Sequence, residues 1–188
     1  LDIPLCTDWT QVAAALDRQQ LAFIPLGSWM PELQRMIDLR NVLGLRSPIH
    51  SLARILNPLQ ARCGLQSIFH PGYQPVHRDA SQLLGDRVIV IKGEGGEIEV
   101  NPDSPCTLFG SSAESIWEEE WPAISAQRHV KPQQLDPAKL LAVWQGRETD
   151  EYGLQAIVGS IALALRGLGA SREQASEQAQ EVWVRRLS

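Results

Sequence analysis

Residues 66–92, QSIFHPGYQPVHRDASQLLGDRVIVIK, carry the pattern that decides the fold. The first and last segments, 66–69 and 87–92, are short runs rich in β-branched and aromatic residues, which is typical of buried strands. The residues between them, 74–84, favour a helix that ends at Gly85. A strand, a helix and a second strand in this order predict a parallel β-α-β unit.

The flanking sequence predicts more elements around this unit. Apolar periodicity and end signals favour helices at 8–18, 31–43 and 47–56 and a buried strand at 21–26. Further short strands are predicted at 97–100 and 106–109. Three more helices are predicted to begin near Asp136, Asp150 and Ser171. The sequence thus predicts one α/β domain over residues 1–188, with a mostly parallel sheet flanked by helices and a C-terminal helical set.

The composition limits the classes of partner. The 188 residues include 17 Lys and Arg and 22 Asp and Glu, a net charge of −5, which disfavours nucleic acid unless a basic face is local. Three cysteines, far apart and outside any metal-binding spacing, indicate neither a disulfide framework nor a zinc site. They fit a reducing cytoplasm. No apolar run has the length of a membrane span, so no membrane partner is expected.

Residues 44–58, GLRSPIHSLARILNP, form the main candidate for a binding site. On a helix that begins at Ser47, His50 and Arg54 share one face, opposite the apolar residues. Arg46 lies just before the helix N-terminus, whose free amides attract anions. These three side chains are predicted to bind a carboxylate or a phosphate. The alternative is that both arginines make ordinary surface ion pairs.

Glu97 and Glu99 are the candidate metal ligands. Two residues apart on a predicted strand, their carboxylates project from one face and offer the oxygen ligands that Mg²⁺ prefers. The alternative, which we favour, is the solvated face of a strand, because such sites also require substrate phosphates and this sequence lacks their binding loop. The glycines Gly93, Gly95 and Gly96 precede no predicted helix, so they indicate a turn rather than a phosphate cradle.

The other histidines are weaker signals. His70 precedes Pro71 at a strand end, and His77 and His129 have no partner at the spacing of a metal site or a catalytic triad. The acidic segment 114–121, which contains two tryptophans, indicates either a partner-binding loop or aromatic anchors that pack onto the core.

Three short blocks follow one another along the chain: GLRS at 44–47, LNP at 56–58 and IFHP at 68–71. They are similar in sequence, order and separation to the Gly-hydrophobic-Arg-Thr, Leu-Asn-Pro and Val-Tyr-His-Pro blocks of the anthranilate phosphoribosyltransferases in glycosyltransferase family three. The resemblance extends from Phe23 into the helical C-terminal part. It implies that Arg46 contacts the carboxylate of the acceptor and that the full-length protein uses Mg²⁺.

The sequence also departs from that family. Trp29-Met30-Pro31 replaces a His-His-Pro sequence that lines the acceptor channel, and Ile49-His50 replaces Phe-Asn. Residues 93–99 replace a Gly-Leu-Asp-Glu segment whose adjacent acids hold magnesium with the diphosphate. Together with Asn101-Pro102, these changes resemble a divergent paralogue branch, some of whose members are described as nucleic-acid-binding and without the anthranilate reaction.

The resemblance implies a glycosyl or phosphoribosyl transferase relative that binds a phosphorylated sugar or an aromatic acid, is not active on anthranilate, and as given binds no cofactor tightly. A second hypothesis is a non-catalytic nucleic-acid-binding paralogue, in which Arg46, Arg54 and Arg62 contact phosphates. A third is a structural remnant without a ligand. We further expect a C-terminal portion of a longer domain, in which a missing N-terminal half or another copy of the chain covers an apolar face around 21–26.

Overall fold

The computed structural model describes residues 3–93, 97–112, 114–126, 128–129 and 136–187. The chain divides into two compact units, Leu1–Leu56 and Asn57–Ser188, and each is described by itself. Within the described residues, no helix is both long enough and apolar enough to cross a membrane.

The first unit is helical. Its helices are α1 (Trp9–Gln19), α2 (Leu26–Trp29), α3 (Pro31–Asp38), α4 (Arg40–Leu43) and α5 (Ile49–Leu52), followed by a 3₁₀ turn at Ala53–Ile55. The predicted cap of α1 is confirmed, because Asp8 Oδ1 accepts a hydrogen bond from the Gln11 N–H at 2.8 Å. Gly44 ends α4 in the left-handed conformation, with φ of 69°, as its predicted role requires. Cys6, Val12 and Ala15 form a small buried core.

One prediction in this unit is wrong, and one predicted helix is shorter and tighter than expected. Residues 21–26 do not form a buried strand: only Phe23 pairs, in an isolated parallel bridge with Leu5, and its side chain is 55% exposed. Pro25 offers no N–H to a ladder and is instead the N-cap of α2. The helix predicted at 47–56 consists of α5, a single turn, and the 3₁₀ turn, after which Leu56 is extended. The chain leaves helical geometry there because Asn57 precedes Pro58, a position that disfavours α geometry.

The second unit contains a four-stranded sheet in the order β1 (Gly64–Ile68), β2 (Val88–Lys92), β3 (Cys106–Ser111) and β4 (Ile116–Trp121). β1 and β2 are parallel and are joined by a 3₁₀ turn at Pro71–Tyr73 and helix α6 (Gln74–Leu83), so the predicted β-α-β unit is confirmed. The two other pairings are antiparallel. The α/β class is therefore confirmed, but the sheet is mixed where the sequence predicted a mostly parallel one. A hairpin as short as the β3–β4 connection admits only antiparallel neighbours.

The C-terminal helical set is also confirmed. It consists of α7 (Pro137–Trp144), α8 (Glu151–Gly167) and α9 (Arg172–Arg185), capped by Asp136, Asp150 and Ser171 as predicted. Ser171 and Gln174 form the complete capping box.

Strand β2 is covered on both faces, which explains its uninterrupted apolar sequence. Ile89 and Ile91 join the main core with Leu108 and with Ala162 and Leu163 of α8. Val88 and Val90 point to the other face, where they cluster with Ile68 and Phe109. Helix α6 packs against β2 as well.

Candidate functional site

The main candidate site is the turn between α4 and α5, in the first unit. Gly44 ends α4 without steric strain because only glycine adopts φ of 69° freely. The chain then passes through Arg46, whose side chain is exposed. Across the described part of the chain, no hydrogen bond or ion pair engages the Arg46 guanidinium. This side chain is therefore available to an external anion rather than used in a surface ion pair.

His50 is fixed to the backbone of the same turn. Its Nδ1 lies 3.2 Å from the Ser47 backbone N and 3.2 Å from the Ser47 carbonyl oxygen. The ring is half-buried, and its Nε2 atom is buried without a hydrogen-bond partner in the described part of the chain. In the tautomer in which Nδ1 accepts the Ser47 N–H, the ring proton lies on Nε2; in the other tautomer Nδ1 donates to the Ser47 carbonyl oxygen. A buried donor without an acceptor costs about 1–3 kcal/mol, so a ligand atom that accepts this proton would remove a penalty.

Arg54 lies in the 3₁₀ turn and is exposed. It interacts with other groups of the protein, so it is already engaged. The three predicted anion-binding residues thus lie on three different pieces of backbone: Arg46 in a loop, His50 in α5 and Arg54 in the 3₁₀ turn. The structure brings His50 against the residue that follows Arg46, and α5 continues directly into the 3₁₀ turn that carries Arg54. Whether all three bind one ligand stays a prediction.

The candidate metal ligands belong to the second unit. Residues 97–100 do not form a strand, so the argument that Glu97 and Glu99 project from one strand face is wrong, although both side chains are exposed. The backbone oxygen of Glu97 accepts a hydrogen bond from Ser67 Oγ at 2.7 Å, beside the end of β1. A Cβ at Gly93 would lie 1.7 Å from this same oxygen, so Gly93 must be glycine. Glu94, Gly95 and Gly96 lie outside the described residues.

Metal binding at Glu97 and Glu99 stays a prediction. Among the residues that the structure describes, no group of three or more His, Cys, Asp or Glu side chains could hold a metal ion. Two exposed carboxylates without a third ligand would leave most of the Mg²⁺ coordination to water and substrate, as is usual for Mg²⁺ bound with phosphates.

Sequence reasoning missed the partners of two histidines. His77 is buried on α6, and its Nδ1 lies 3.0 Å from Gln66 Oε1 on β1. His129 Nδ1 lies 2.7 Å from Asp103 Oδ1, and the His129 N–H donates to Asp103 Oδ2 at 2.7 Å. Each partner is at least 11 residues away in sequence, so no local spacing signals the contact.

The Asp103 and His129 contact also changes the acidity of the carboxyl group. Burial opposes ionisation of Asp103, but the hydrogen bonds from the His129 ring and backbone outweigh it and lower the pKa of Asp103. These ring and backbone contacts hold His129 against Asp103.

The fold is similar to that of a known class of enzymes. Over 95% of this chain and 56% of the other, the structure is similar to an anthranilate phosphoribosyltransferase of Saccharomyces cerevisiae in complex with 4-fluoroanthranilate, with a TM-score of 0.70 and 14% identity. A Ser121Ala variant of a yeast anthranilate phosphoribosyltransferase with Mg bound gives a TM-score of 0.67. The chain therefore has the α/β fold of these enzymes. At such low identity, this likeness shows the fold alone.

Curated proteins with similar sequences include members of the same class of enzymes. An uncharacterised protein of Aquifex aeolicus is 36% identical over 99 residues, which is 51% of this chain and 32% of that protein. The anthranilate phosphoribosyltransferase of Polynucleobacter necessarius is 27% identical over 117 residues, which is 62% of this chain and 34% of that enzyme. No family model matches the chain.

The chain resembles the anthranilate phosphoribosyltransferases in both sequence and fold, and it is a divergent relative of them. The matched stretch spans about a third of the length of these curated relatives (32% and 34%). The resemblance therefore concerns one part of such a protein.

Proposed function

We propose that this chain forms the acceptor-binding part of a phosphoribosyltransferase-like protein, and that it holds an anionic small molecule at Arg46, His50 and Arg54. The observation that carries the proposal is a pair of groups in one short turn that have no partner among the described residues: the exposed Arg46 guanidinium and the buried Nε2 of His50. Both groups donate hydrogen bonds to an oxyanion.

In this proposal each residue has a distinct role. Arg46 supplies charge and two parallel N–H groups, which match the two oxygens of a carboxylate or phosphate. His50 supplies a single donor whose direction is fixed by the contact of Nδ1 with Ser47. Arg54 adds positive charge near the end of the segment. The relatives named anthranilate phosphoribosyltransferase support an aromatic acid or a phosphorylated sugar as the class of ligand.

We further propose that the chain as given does not convert anthranilate and phosphoribosyl diphosphate to product. Residues 93–99 carry no adjacent acidic pair of the kind that holds magnesium with diphosphate in the family, and Trp29 and Met30 stand where the acceptor channel carries histidines. An assay of product formation in the presence of Mg²⁺ tests this statement. Turnover clearly above a control without protein would contradict it.

Binding is tested separately by calorimetric titration of the chain with anthranilate, benzoate and ribose 5-phosphate. We expect at least one of these to bind, and Arg46→Ala to weaken that binding about tenfold or more, as the loss of a charged hydrogen bond does. His50→Phe keeps a ring but removes the Nε2 donor and should also weaken binding. Arg35→Ala is the matched control, because Arg35 is a 74% exposed arginine of the same unit that pairs with Glu32.

The nucleic-acid hypothesis is distinguished by its salt dependence. If Arg46, Arg54 and Arg62 contact phosphates of a nucleic acid, the affinity for a single-stranded oligonucleotide will fall steeply as the salt concentration rises. A plot of the logarithm of the binding constant against the logarithm of the salt concentration should have a slope near −0.7 per phosphate contact. Such behaviour together with no binding of the three small anions would replace our proposal with the non-catalytic paralogue.

A further inference from the structure

A small cavity lies in the second unit, at the end of the sheet where β2 begins and β3 ends. Val88 at the start of β2 pairs with Ser111 at the end of β3, and Ser111 pairs with Ile116 at the start of β4. Gly93 follows the other end of β2. The cavity therefore lies at the opposite end of these strands from Gly93.

The cavity has a volume of about 130 Å³, and the residues relevant to its chemistry are Arg87, Ser111, Ser112, Trp117, Arg166 and Gly169. This volume is well below that of sites for drug-sized molecules, which typically reach several hundred Å³. It suits one compact polar group.

Arg166 is a fixed cation in the cavity wall. Its Nε donates to Glu119 Oε2 at 2.7 Å, and its guanidinium carbon lies 4.3 Å from the centre of the Trp117 ring. Glu119 is also bound by the Trp121 indole N–H at 2.8 Å, so this carboxylate has two donors of its own. The Glu119 carboxylate balances the charge of Arg166, and its hydrogen bond together with the Trp117 ring fixes the orientation of the guanidinium.

Arg87 is the second arginine that lines the cavity, and unlike Arg166 it has no carboxylate partner among the described residues. Its backbone is held because the Arg87 carbonyl accepts a hydrogen bond from the Gly64 N–H at 2.8 Å. No hydrogen bond or ion pair of the Arg87 guanidinium occurs among the described residues. A Cβ built at Gly169 would find only Arg87 Nη1 within 4 Å, at 3.7 Å, so the glycine leaves the space beside the guanidinium open.

We propose that this cavity binds a small oxyanion, meaning a phosphate or carboxylate group, with the Arg87 guanidinium as its main donor. The cavity combines the Arg87 guanidinium, which has no partner among the described residues, a second arginine held by Glu119 and Trp117, and a volume that fits one such group. A guanidinium binds both classes of oxyanion through parallel N–H groups. The site does not depend on the proposal made above for Arg46 and His50.

The test is a ¹H–¹⁵N NMR titration of the whole chain with inorganic phosphate, at constant ionic strength maintained with sodium chloride. We expect saturable shifts of the Arg87, Ser112 and Gly169 amides. Arg87→Ala should reduce the affinity about tenfold or more. The control is Arg185→Ala, since Arg185 is a 68% exposed arginine on α9 that pairs with Glu181, and its loss should leave the affinity unchanged.

Parallel titrations with acetate and methylphosphonate show whether the cavity prefers a carboxylate or a phosphate-like group. Saturable binding of either at the same amides supports the site and identifies which group it prefers. Shifts that do not saturate, that chloride reproduces, or that persist in Arg87→Ala would overturn the proposal. Because the Arg87 side chain is exposed, its variant should keep the dispersed spectrum of the folded chain, which the same experiment shows directly.

Discussion

Arg166 on α8 and Glu119 on β4 form a hydrogen-bonded ion pair at 2.7 Å, with only 25% and 23% of the two side chains exposed. The pair ties the C-terminal end of α8 to β4, the last strand of the sheet. Glu119 also accepts from the indole N–H of Trp121, which is buried. Removal of the Glu119 carboxylate would leave the Arg166 Nε–H and the Trp121 indole N–H without this acceptor.

Glu119→Ala is therefore expected to lower the free energy of unfolding by about 1–3 kcal/mol, measured by urea denaturation. Glu181→Ala is the comparison, because the Glu181 and Arg185 pair is 3.7 Å long with both side chains about two-thirds exposed. Its loss should change stability by less than about 0.5 kcal/mol. Equal effects of the two substitutions would show that the Arg166 pair has no special role.

Gly110 is predicted to be irreplaceable because the Trp117 ring covers it. A Cβ at this position would lie 2.0 Å from Trp117 Cε2, so Gly110→Ala must displace the indole and the Arg166 side chain stacked on it. We expect a loss of about 1–3 kcal/mol in thermal or chemical unfolding. At Gly72, a Cβ would meet nothing within 4 Å, and Gly72→Ala should be close to neutral.

The strands and helices that carry strong local signals were predictable from the sequence. A local pattern is sufficient where a residue acts within its own segment. Examples are the apolar run of β2, the Gly85 turn and the helix caps Asp8, Asp150 and Ser171, which accept hydrogen bonds from the first turn of their own helices. β4 was not predicted as a strand, because three consecutive glutamates have low strand propensity. Their positions become favourable only through partners elsewhere: Glu118 pairs with Arg78, Glu119 with Arg166, and Glu120 with Thr107.

The candidate site was predictable only in part, for a similar reason. His50 and Arg54 were predicted from their spacing and Arg46 from its place before the helix N-terminus, and the structure brings His50 against Ser47, the residue that follows Arg46. Their predicted helix was too long, because helical periodicity does not reveal where a turn tightens to 3₁₀ geometry. The cavity beside Arg87 was out of reach, since its lining residues come from four separate segments between Arg87 and Gly169.

The thiols are predicted to be poorly reactive in the folded chain. Burial, followed by the nearby charge of Glu120, raises the pKa of Cys106 from its ordinary value of 9.0 to about 11. At pH 8 its thiolate fraction is then about a hundredfold below that of an ordinary thiol, so alkylation by iodoacetamide should be correspondingly slow. Mass spectrometry of the folded and urea-unfolded chain measures the ratio. Modification of Cys106 at similar rates in both states would contradict the assigned environment.

Asp103 is predicted to contribute to acid sensitivity. Its pKa lies below the ordinary value of 3.8 in the folded chain because the His129 hydrogen bonds outweigh the effect of burial. A carboxyl group with a lowered folded-state pKa stabilises the fold above its unfolded pKa, and this contribution is lost as pH falls through the folded value. Asp103→Asn should therefore flatten the fall of the unfolding free energy between about pH 5 and pH 2. An unchanged pH profile would show that Asp103 does not titrate in this way.

We propose that His50 Nε2 and the Arg46 guanidinium bind the same anion, and the ¹⁵N resonance of His50 Nε2 reports on this contact. In a long-range ¹H–¹⁵N spectrum, addition of anthranilate, benzoate or ribose 5-phosphate should shift this resonance saturably, because Nε2 gains the acceptor that it lacks. The shift should disappear in Arg46→Ala and persist in Arg35→Ala. A His50 resonance that is unaffected by saturating amounts of all three anions, or that shifts equally without Arg46, would contradict the account.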